Sequence, residues 1–107
     1  MNFPNVISDL IKAQGNFDCV AYANCFSETA EFFDEGKTHT GKVEIQNWIS
    51  KGNEKYKTVM KPIEYTKEGK TDLLSTEISG TFDGSPIVLK YHFEIIDGLI
   101  QSLKITG

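Results

Sequence analysis

The sequence predicts an α+β protein, and a change of pattern along the chain supports that class. In the first half, apolar residues recur every three or four positions, as they do along one face of an α-helix. From about residue 58 onward the apolar period falls to two, which is typical of β-strands. Helices that precede a run of antiparallel strands pack on one face of the resulting sheet. We therefore expect one helical layer and one sheet around a common core.

The helical part divides into three segments, and each has recognisable ends. The predicted helices cover about residues 4–14, 17–26 and 41–52, and the alternative for the third is an extension to Lys55. Pro4 suits the first turn of a helix and Gly15 suits its end. Asn16 can cap the second helix, and Thr40 or Gly41 can begin the third.

The strands are separated by glycine-containing turns. They are predicted at about residues 29–34, 58–66, 71–82, 87–96 and 99–105, with a loop at 36–41. Pro62 makes the second strand an edge strand, and Gly80 predicts a bulge or bend in the third. By alternation one face of the fourth strand carries Leu89, Tyr91, Phe93 and Ile95, and the other carries Lys90, His92 and Glu94. One face of the last strand carries Leu99, Gln101, Leu103 and Ile105.

Length and composition limit the classes of function. A chain of 107 residues suits a single domain over 1–107. The net charge is −4 and every cation is lysine, so nucleic acid is not an expected partner. No apolar run is long enough for a membrane span, and the start "MNFPNVISDL" lacks the pattern of a secretory signal, which predicts a cytoplasmic protein. His39 and His92 fall on opposite sheet faces, so we expect no metal site and no cofactor.

One acidic residue stands out in the first predicted strand, "AEFFD". Alternation places Ala30, Phe32 and Asp34 on one face, so the carboxylate follows two apolar side chains toward the core. If Asp34 lies in an apolar pocket, desolvation raises its pKa and makes it a usable base near neutral pH. The alternative is a solvated acid that caps the following turn.

The order of these elements resembles the NTF2-like superfamily, in particular its SnoaL-like and ketosteroid isomerase-like branch. The matching segments are "GNFDCVAYANCFSETAEFFDEG", "THTGKVEIQNWI" and "YHFEIIDGLIQSLKI". The resemblance implies a cone in which three N-terminal helices pack on a strongly curved, mostly antiparallel sheet and enclose an apolar pocket. It also implies a homodimer through the convex face of the sheet, which here would carry Lys90, His92 and Glu94. Such an interface would be polar.

The resemblance also assigns roles to individual residues. In ketosteroid isomerase-like members the base is an aspartate eight residues after the phenylalanine that closes the second helix, which matches Phe26 and Asp34. A tyrosine donor on the first helix is replaced by Leu10, which argues against steroid isomerisation itself. The position of the second donor falls at Tyr91 or Phe93.

Several further residues are candidates for the same site. His39 follows the first strand closely enough to pair with Asp34 as a proton relay, although a surface loop position is the alternative. Tyr91 is either an oxyanion donor or a core tyrosine bonded to a carbonyl or water. The expected pocket walls are Phe32, Trp48, Leu10, Leu89, Phe93, Gln101 and Leu103.

These residues predict a small apolar ligand and leave more than one function open. As an enzyme, the protein would be a cofactor-free isomerase, cyclase or dehydratase that uses Asp34 as general acid-base on a small apolar carbonyl compound. As a binding protein, it would hold such a ligand without turnover. A third possibility is a homodimeric interaction module of the same fold.

Overall fold

The computed structural model describes residues 3–34 and 36–107. Its helices are α1 (Asn5–Gly15), α2 (Cys19–Asn24) and α3 (Gly41–Tyr56). Its strands are β1 (Phe26–Asp34), β2 (Lys37–Thr40), β3 (Val59–Glu68), β4 (Thr71–Ser79), β5 (Ile87–Ile96) and β6 (Leu99–Thr106). The predicted α+β class is confirmed.

The six strands form one mixed sheet in the order β2-β1-β6-β5-β4-β3, which does not close on itself. Every neighbouring pair is antiparallel except β1 and β6, which run parallel. The mostly antiparallel arrangement and the edge position of the proline-containing β3 are confirmed. The parallel pairing brings Phe32 of β1 opposite Leu103 of β6.

The core lies between the helices and one face of the sheet, which we name the inner face. Helix α1 contributes Ile7 and Leu10, and α3 contributes Ile45 and Ile49. The strands contribute alternate residues, including Phe32, Leu74, Phe93 and Leu103, all fully buried. On β4 the alternation is complete, because every second side chain from Asp72 to Ile78 is buried.

The ends of the helices differ from the predictions. Helix α2 is shorter than predicted, and its N-cap is Asp18 rather than Asn16, because the Asp18 carboxylate accepts a hydrogen bond of 3.0 Å from the Ala21 N–H. Helix α3 runs past Gly52 to Tyr56 and ends at Lys57, whose φ of 51° is left-handed. Tertiary contact fixes that end, since the Thr81 N–H donates to the Tyr56 carbonyl at 2.7 Å.

Two strand predictions are corrected. Residues 37–40 form strand β2 rather than a loop, because they pair with the end of β1 and satisfy its backbone groups. The predicted strand at 71–82 ends at Ser79, because Gly80 packs on the backbone of Tyr56, where a Cβ would lie 2.5 Å from the carbonyl oxygen.

The alternation predicted for the last strand is also wrong at its start. Ile100 is fully buried, whereas Leu99 is 37 % exposed. The pairing with β5 shifts between Ser102 and Ile100, so Gln101 is an extra residue in a β-bulge. A bulge reverses the face of every side chain before it, which the period of two cannot reveal.

The far end of the inner face holds a buried carboxylate, Asp72, which is 1 % exposed. The Tyr65 hydroxyl donates to Asp72 Oδ2 at 2.6 Å, and Lys67 Nζ lies 3.2 Å from Oδ1. We name these three residues the β3–β4 cluster. Both carboxylate oxygens have partners, as a buried charge requires.

Candidate functional site

A cavity of about 630 Å³ lies between the helices and the inner face of the sheet. Its volume falls within the ordinary range of small-molecule sites. Its apolar wall includes Trp48, Ile49, Met60, Leu89 and Ile105. The exposed Lys51 and Lys55, one turn apart on α3, also line it and mark where it meets solvent.

Asp34 is at the end of β1 and lines this cavity. Ala30 and Phe32 are fully buried, and Asp34 follows them with an intermediate exposure, as the alternation requires. Gly36 has a φ of 74°, a left-handed value that glycine adopts without strain, and it returns the chain into β2 opposite Asp34. The turn thus ends β1 with its carboxylate beside the cavity.

Two tyrosines line the same cavity as Asp34. Tyr91 comes from β5 and is 7 % exposed, and Tyr22 comes from α2 and is 2 % exposed. Burial raises the pKa of the Tyr91 phenol, and the negative charge of Asp34 raises it further. Burial also raises the pKa of Tyr22 well above its ordinary value, with additional contributions from Tyr91, Asp34 and Cys25.

The raised pKa values of the two phenols define what these groups can do chemically. A phenol with a raised pKa stays protonated, so Tyr22 and Tyr91 are neutral hydrogen-bond donors across the physiological range. The charge of Asp34 contributes to both shifts, and all three side chains line the same cavity. A carboxylate beside two neutral donors is a combination suited to moving a proton and stabilising an oxyanion.

His39 lies on β2, and its pairing with Asp34 as a proton relay stays a prediction. It pairs with Phe32 across β1 and β2, and its ring centroid lies 5.8 Å from that of Trp48. Its Nε2 atom is buried and has no hydrogen-bond partner within the described residues. His39 is absent from the cavity wall. Its ring therefore packs against aromatic neighbours.

The predicted wall residues fall into three groups. Trp48 and Leu89 line the cavity. Leu10, Phe32, Phe93 and Leu103 are fully buried and lie outside its lining, because they fill the core behind it. Gln101 is the bulge residue of β6, where it accepts from Ser27 Oγ at 2.7 Å and donates to the Thr29 carbonyl. It too is absent from the cavity wall.

Sequence reasoning missed several polar residues of the cavity, among them Gln14 and Tyr22. Gln14 follows Ile7 and Leu10 at spacings of seven and four, so a polar residue on a buried helical stripe was the available signal. Tyr22 is the one large side chain in "CVAYAN", and a phenol on a helix of small apolar residues was the corresponding signal.

Within 3–34 and 36–107, no group of three or more histidine, cysteine, aspartate or glutamate side chains is placed to hold a metal ion. Of the helices in those ranges, none has the length and apolar character that a bilayer crossing requires.

Comparison with known proteins assigns the class. None of the family models and none of the curated proteins searched matches this chain. Solved structures do: protein SMa1630 of Sinorhizobium meliloti, provisionally assigned as a polyketide cyclase, is 34 % identical with a TM-score of 0.93. The match covers 97 % of this chain and 95 % of that one. The chain therefore belongs to the NTF2-like superfamily, in its SnoaL-like branch.

Two more distant structures share the fold. A protein of Catenulispora acidiphila with a ketosteroid isomerase-like fold, solved with trimethylamine, is 15 % identical with a TM-score of 0.88, covering 99 % of this chain and 87 % of that one. A cystatin-fold protein of Novosphingobium aromaticivorans is 14 % identical with a TM-score of 0.81, covering 99 % of this chain and the whole of that one. These likenesses show the cone-shaped α+β fold alone.

Proposed function

We propose that this protein is a cofactor-free enzyme that moves a proton on a small apolar carbonyl compound bound in the cavity. The observation that carries the proposal is the placement of Asp34, Tyr22 and Tyr91 around one cavity, with the Asp34 charge raising the pKa of both phenols. The provisional cyclase assignment of the similar Sinorhizobium meliloti protein supports the same class of chemistry.

The reaction follows from the properties of the three groups. The Asp34 carboxylate accepts a proton from the carbon next to the substrate carbonyl, and the electron pair moves onto the carbonyl oxygen. Tyr91 and Tyr22 donate hydrogen bonds to the enolate oxygen that forms. In an isomerisation, the protonated Asp34 returns the proton to another carbon of the substrate. In a cyclisation, the enolate carbon attacks a second carbonyl within the substrate, and the alkoxide that forms takes the proton from Asp34. No group beyond the carboxylate and phenols is needed for either step.

Proton abstraction can be tested before the substrate is known. Small cyclic enones and 1,3-diketones exchange their acidic carbon-bound protons for deuterium, and proton NMR follows the exchange. We expect the wild type to accelerate exchange for a fitting member of the panel, and Asp34→Asn to lower the rate by about 10²–10⁴-fold, because the amide cannot accept the proton. Binding of 4-substituted phenols, which resemble an enol, should persist in Asp34→Asn.

The outcome separates catalysis from binding alone. Equal exchange rates for wild type and Asp34→Asn, measured on a compound that both bind, would reject Asp34 as the base. Tight binding of phenols by a wild type that exchanges no member of the panel would instead favour a carrier of apolar ligands. Glu31→Gln is the matched control, because that carboxylate lies on the same strand but is exposed.

The predicted homodimer through the outer face of the sheet stays a prediction. Lys90 and Glu94 are exposed on β5, and His92 between them bonds Thr106 Oγ1 at 2.9 Å. Opposite charges four residues apart on one strand can pair with each other across a twofold axis. Light scattering that finds only monomer at about 100 µM would contradict a dimer whose interface reaches the usual size of a stable one.

A further inference from the structure

A buried amide side chain, Gln14, lines the cavity from the C-terminal turn of α1. It is only 3 % exposed and follows the buried Ile7 and Leu10 on the same helical stripe. A long polar side chain at such a position must satisfy its amide group inside the protein.

The nitrogen of this amide is held firmly. Gln14 Nε2 donates to the Thr58 carbonyl at 2.7 Å, and it lies 2.9 Å from both Thr58 Oγ1 and Asn53 Oδ1. A backbone carbonyl can only accept a hydrogen bond. Rotating the Gln14 amide by half a turn would therefore place its oxygen against the Thr58 carbonyl oxygen, which is unfavourable. The contacts therefore fix which end of the amide carries the oxygen.

The oxygen at the other end is buried and has no partner. Within the described residues, three buried side-chain polar atoms lack a hydrogen bond: Gln14 Oε1, His39 Nε2 and Thr76 Oγ1. Of their residues, Gln14 alone belongs to the cavity wall. Leaving a buried acceptor unpaired is unfavourable, and a ligand that supplies the missing donor would recover that lost free energy.

We propose that Gln14 determines specificity by accepting a hydrogen bond from a hydroxyl group of the ligand. The substrate class is then a small apolar carbonyl compound with a free hydroxyl away from the reacting carbonyl. This inference rests on the proposed function, because it assigns the ligand of the same cavity. Because Gln14 Oε1 is buried, a side chain of the cavity wall moves when the hydroxyl group reaches it. Met60, two residues after Thr58, lies in that wall and has a flexible thioether side chain.

The test uses ligand pairs that differ at one group. Naphthols with a second hydroxyl are compared with the same naphthols carrying a methyl group there, and calorimetry gives each dissociation constant. We expect the wild type to prefer one dihydroxy isomer over its methyl analogue by about tenfold or more, because the methyl leaves Gln14 Oε1 unpaired. Gln14→Leu should bring that ratio close to one.

Two control variants separate the acceptor from general packing. Thr58→Val removes one contact to the amide nitrogen but keeps the backbone carbonyl and Oε1, so the ratio should persist. Thr76→Val removes an unpaired hydroxyl that is not in the cavity wall, and it should also leave the ratio unchanged. If Gln14→Leu and Thr76→Val both abolished the preference for the dihydroxy compound, Gln14 would not be the residue that accepts from the ligand hydroxyl.

Measurements on the wild type alone also test the proposal if Gln14→Leu does not fold. The side-chain amide resonances of Gln14 should shift on binding the preferred dihydroxy compound and stay in place with its methyl analogue. A wild type that binds naphthols without preferring any hydroxyl isomer overturns the proposal. Because binding alone is measured, failure of the Asp34 exchange experiment leaves this result intact, and the reverse also holds.

Discussion

Two groups of carboxylate and tyrosine side chains lie in or against the inner face of the sheet, and their surroundings differ. In the β3–β4 cluster, the Tyr65 hydroxyl lies 2.6 Å from Asp72, whose carboxylate is 1 % exposed and also contacts Lys67. The second group, which we name the cavity group, comprises Asp34, Tyr22 and Tyr91 beside about 630 Å³ of space. The same residue types therefore stabilise the fold at one end and face a ligand-sized cavity at the other.

The difference shows that residue type alone does not identify a site. The Tyr65 hydroxyl already donates a hydrogen bond to the Asp72 carboxylate. A ligand that bound either group would therefore have to break a charge-assisted hydrogen bond. The phenols of the cavity group are instead set on separate elements, α2 and β5, around the space where a substrate would lie. Space beside the polar groups distinguishes the candidate site from the structural cluster.

The largest effect we expect from this contrast concerns stability. Asp72→Ala should lower the free energy of unfolding by about 3 kcal/mol, because it leaves the Tyr65 hydroxyl and Lys67 without their buried partner. Asp34→Ala should cost below about 1 kcal/mol, since that side chain is half-buried beside a cavity. Urea unfolding measures both, and equal losses would remove the distinction between the two groups.

The next prediction compares the loss of the hydroxyl group at Tyr91 with its loss at Tyr65. Tyr91→Phe should lower the rate of deuterium exchange by about 10²-fold, because one of the donors to the enolate oxygen is lost. Tyr65→Phe should leave that rate unchanged and cost about 1.5 kcal/mol of stability, the value of a hydrogen bond to a charged group. Exchange kinetics and urea unfolding of both variants give the result, and slower exchange in Tyr65→Phe would contradict the separation.

The smallest effect is a pH dependence of the β3–β4 cluster. Burial, the hydrogen bond to Asp72 and the charge of Asp72 raise the pKa of Tyr65 to about 12. An unfolded tyrosine titrates near 10, so between about pH 10 and 12 the unfolded chain binds fewer protons than the folded one. The contribution of Tyr65 to the free energy of unfolding is therefore complete below about pH 10, and it decreases as the pH rises from about 10 to 12.

A comparison with Tyr65→Phe isolates that contribution. The variant should lose stability less steeply than the wild type between pH 10 and 12, because it has no phenol at this position. Tyr22 and Tyr91, whose pKa values are also raised, titrate in both proteins and cancel in the difference. Parallel slopes for the two proteins in urea unfolding would show that Tyr65 is not linked to stability.

Much of the fold could be predicted because its signals are local. The helical stripe of Ile7 and Leu10 and the alternation around Tyr91 and Phe93 each follow from a backbone period. The β6 bulge at Gln101 could not be predicted, because an extra residue is visible only against the strand that it pairs with. Strand β2 was missed for the same reason, since its pairing with β1 defines it.

The sequence by itself determined the α+β class, the edge position of β3 and the face on which Asp34 lies, because periodicity and proline chemistry act over a few residues. Only the tertiary structure decided which polar residues share the cavity. Tyr22, Asp34 and Tyr91 come from α2, β1 and β5, and no local pattern relates them. Their proximity depends on the parallel pairing of β1 with β6 and on the packing of α2, which are long-range contacts between segments distant in the chain.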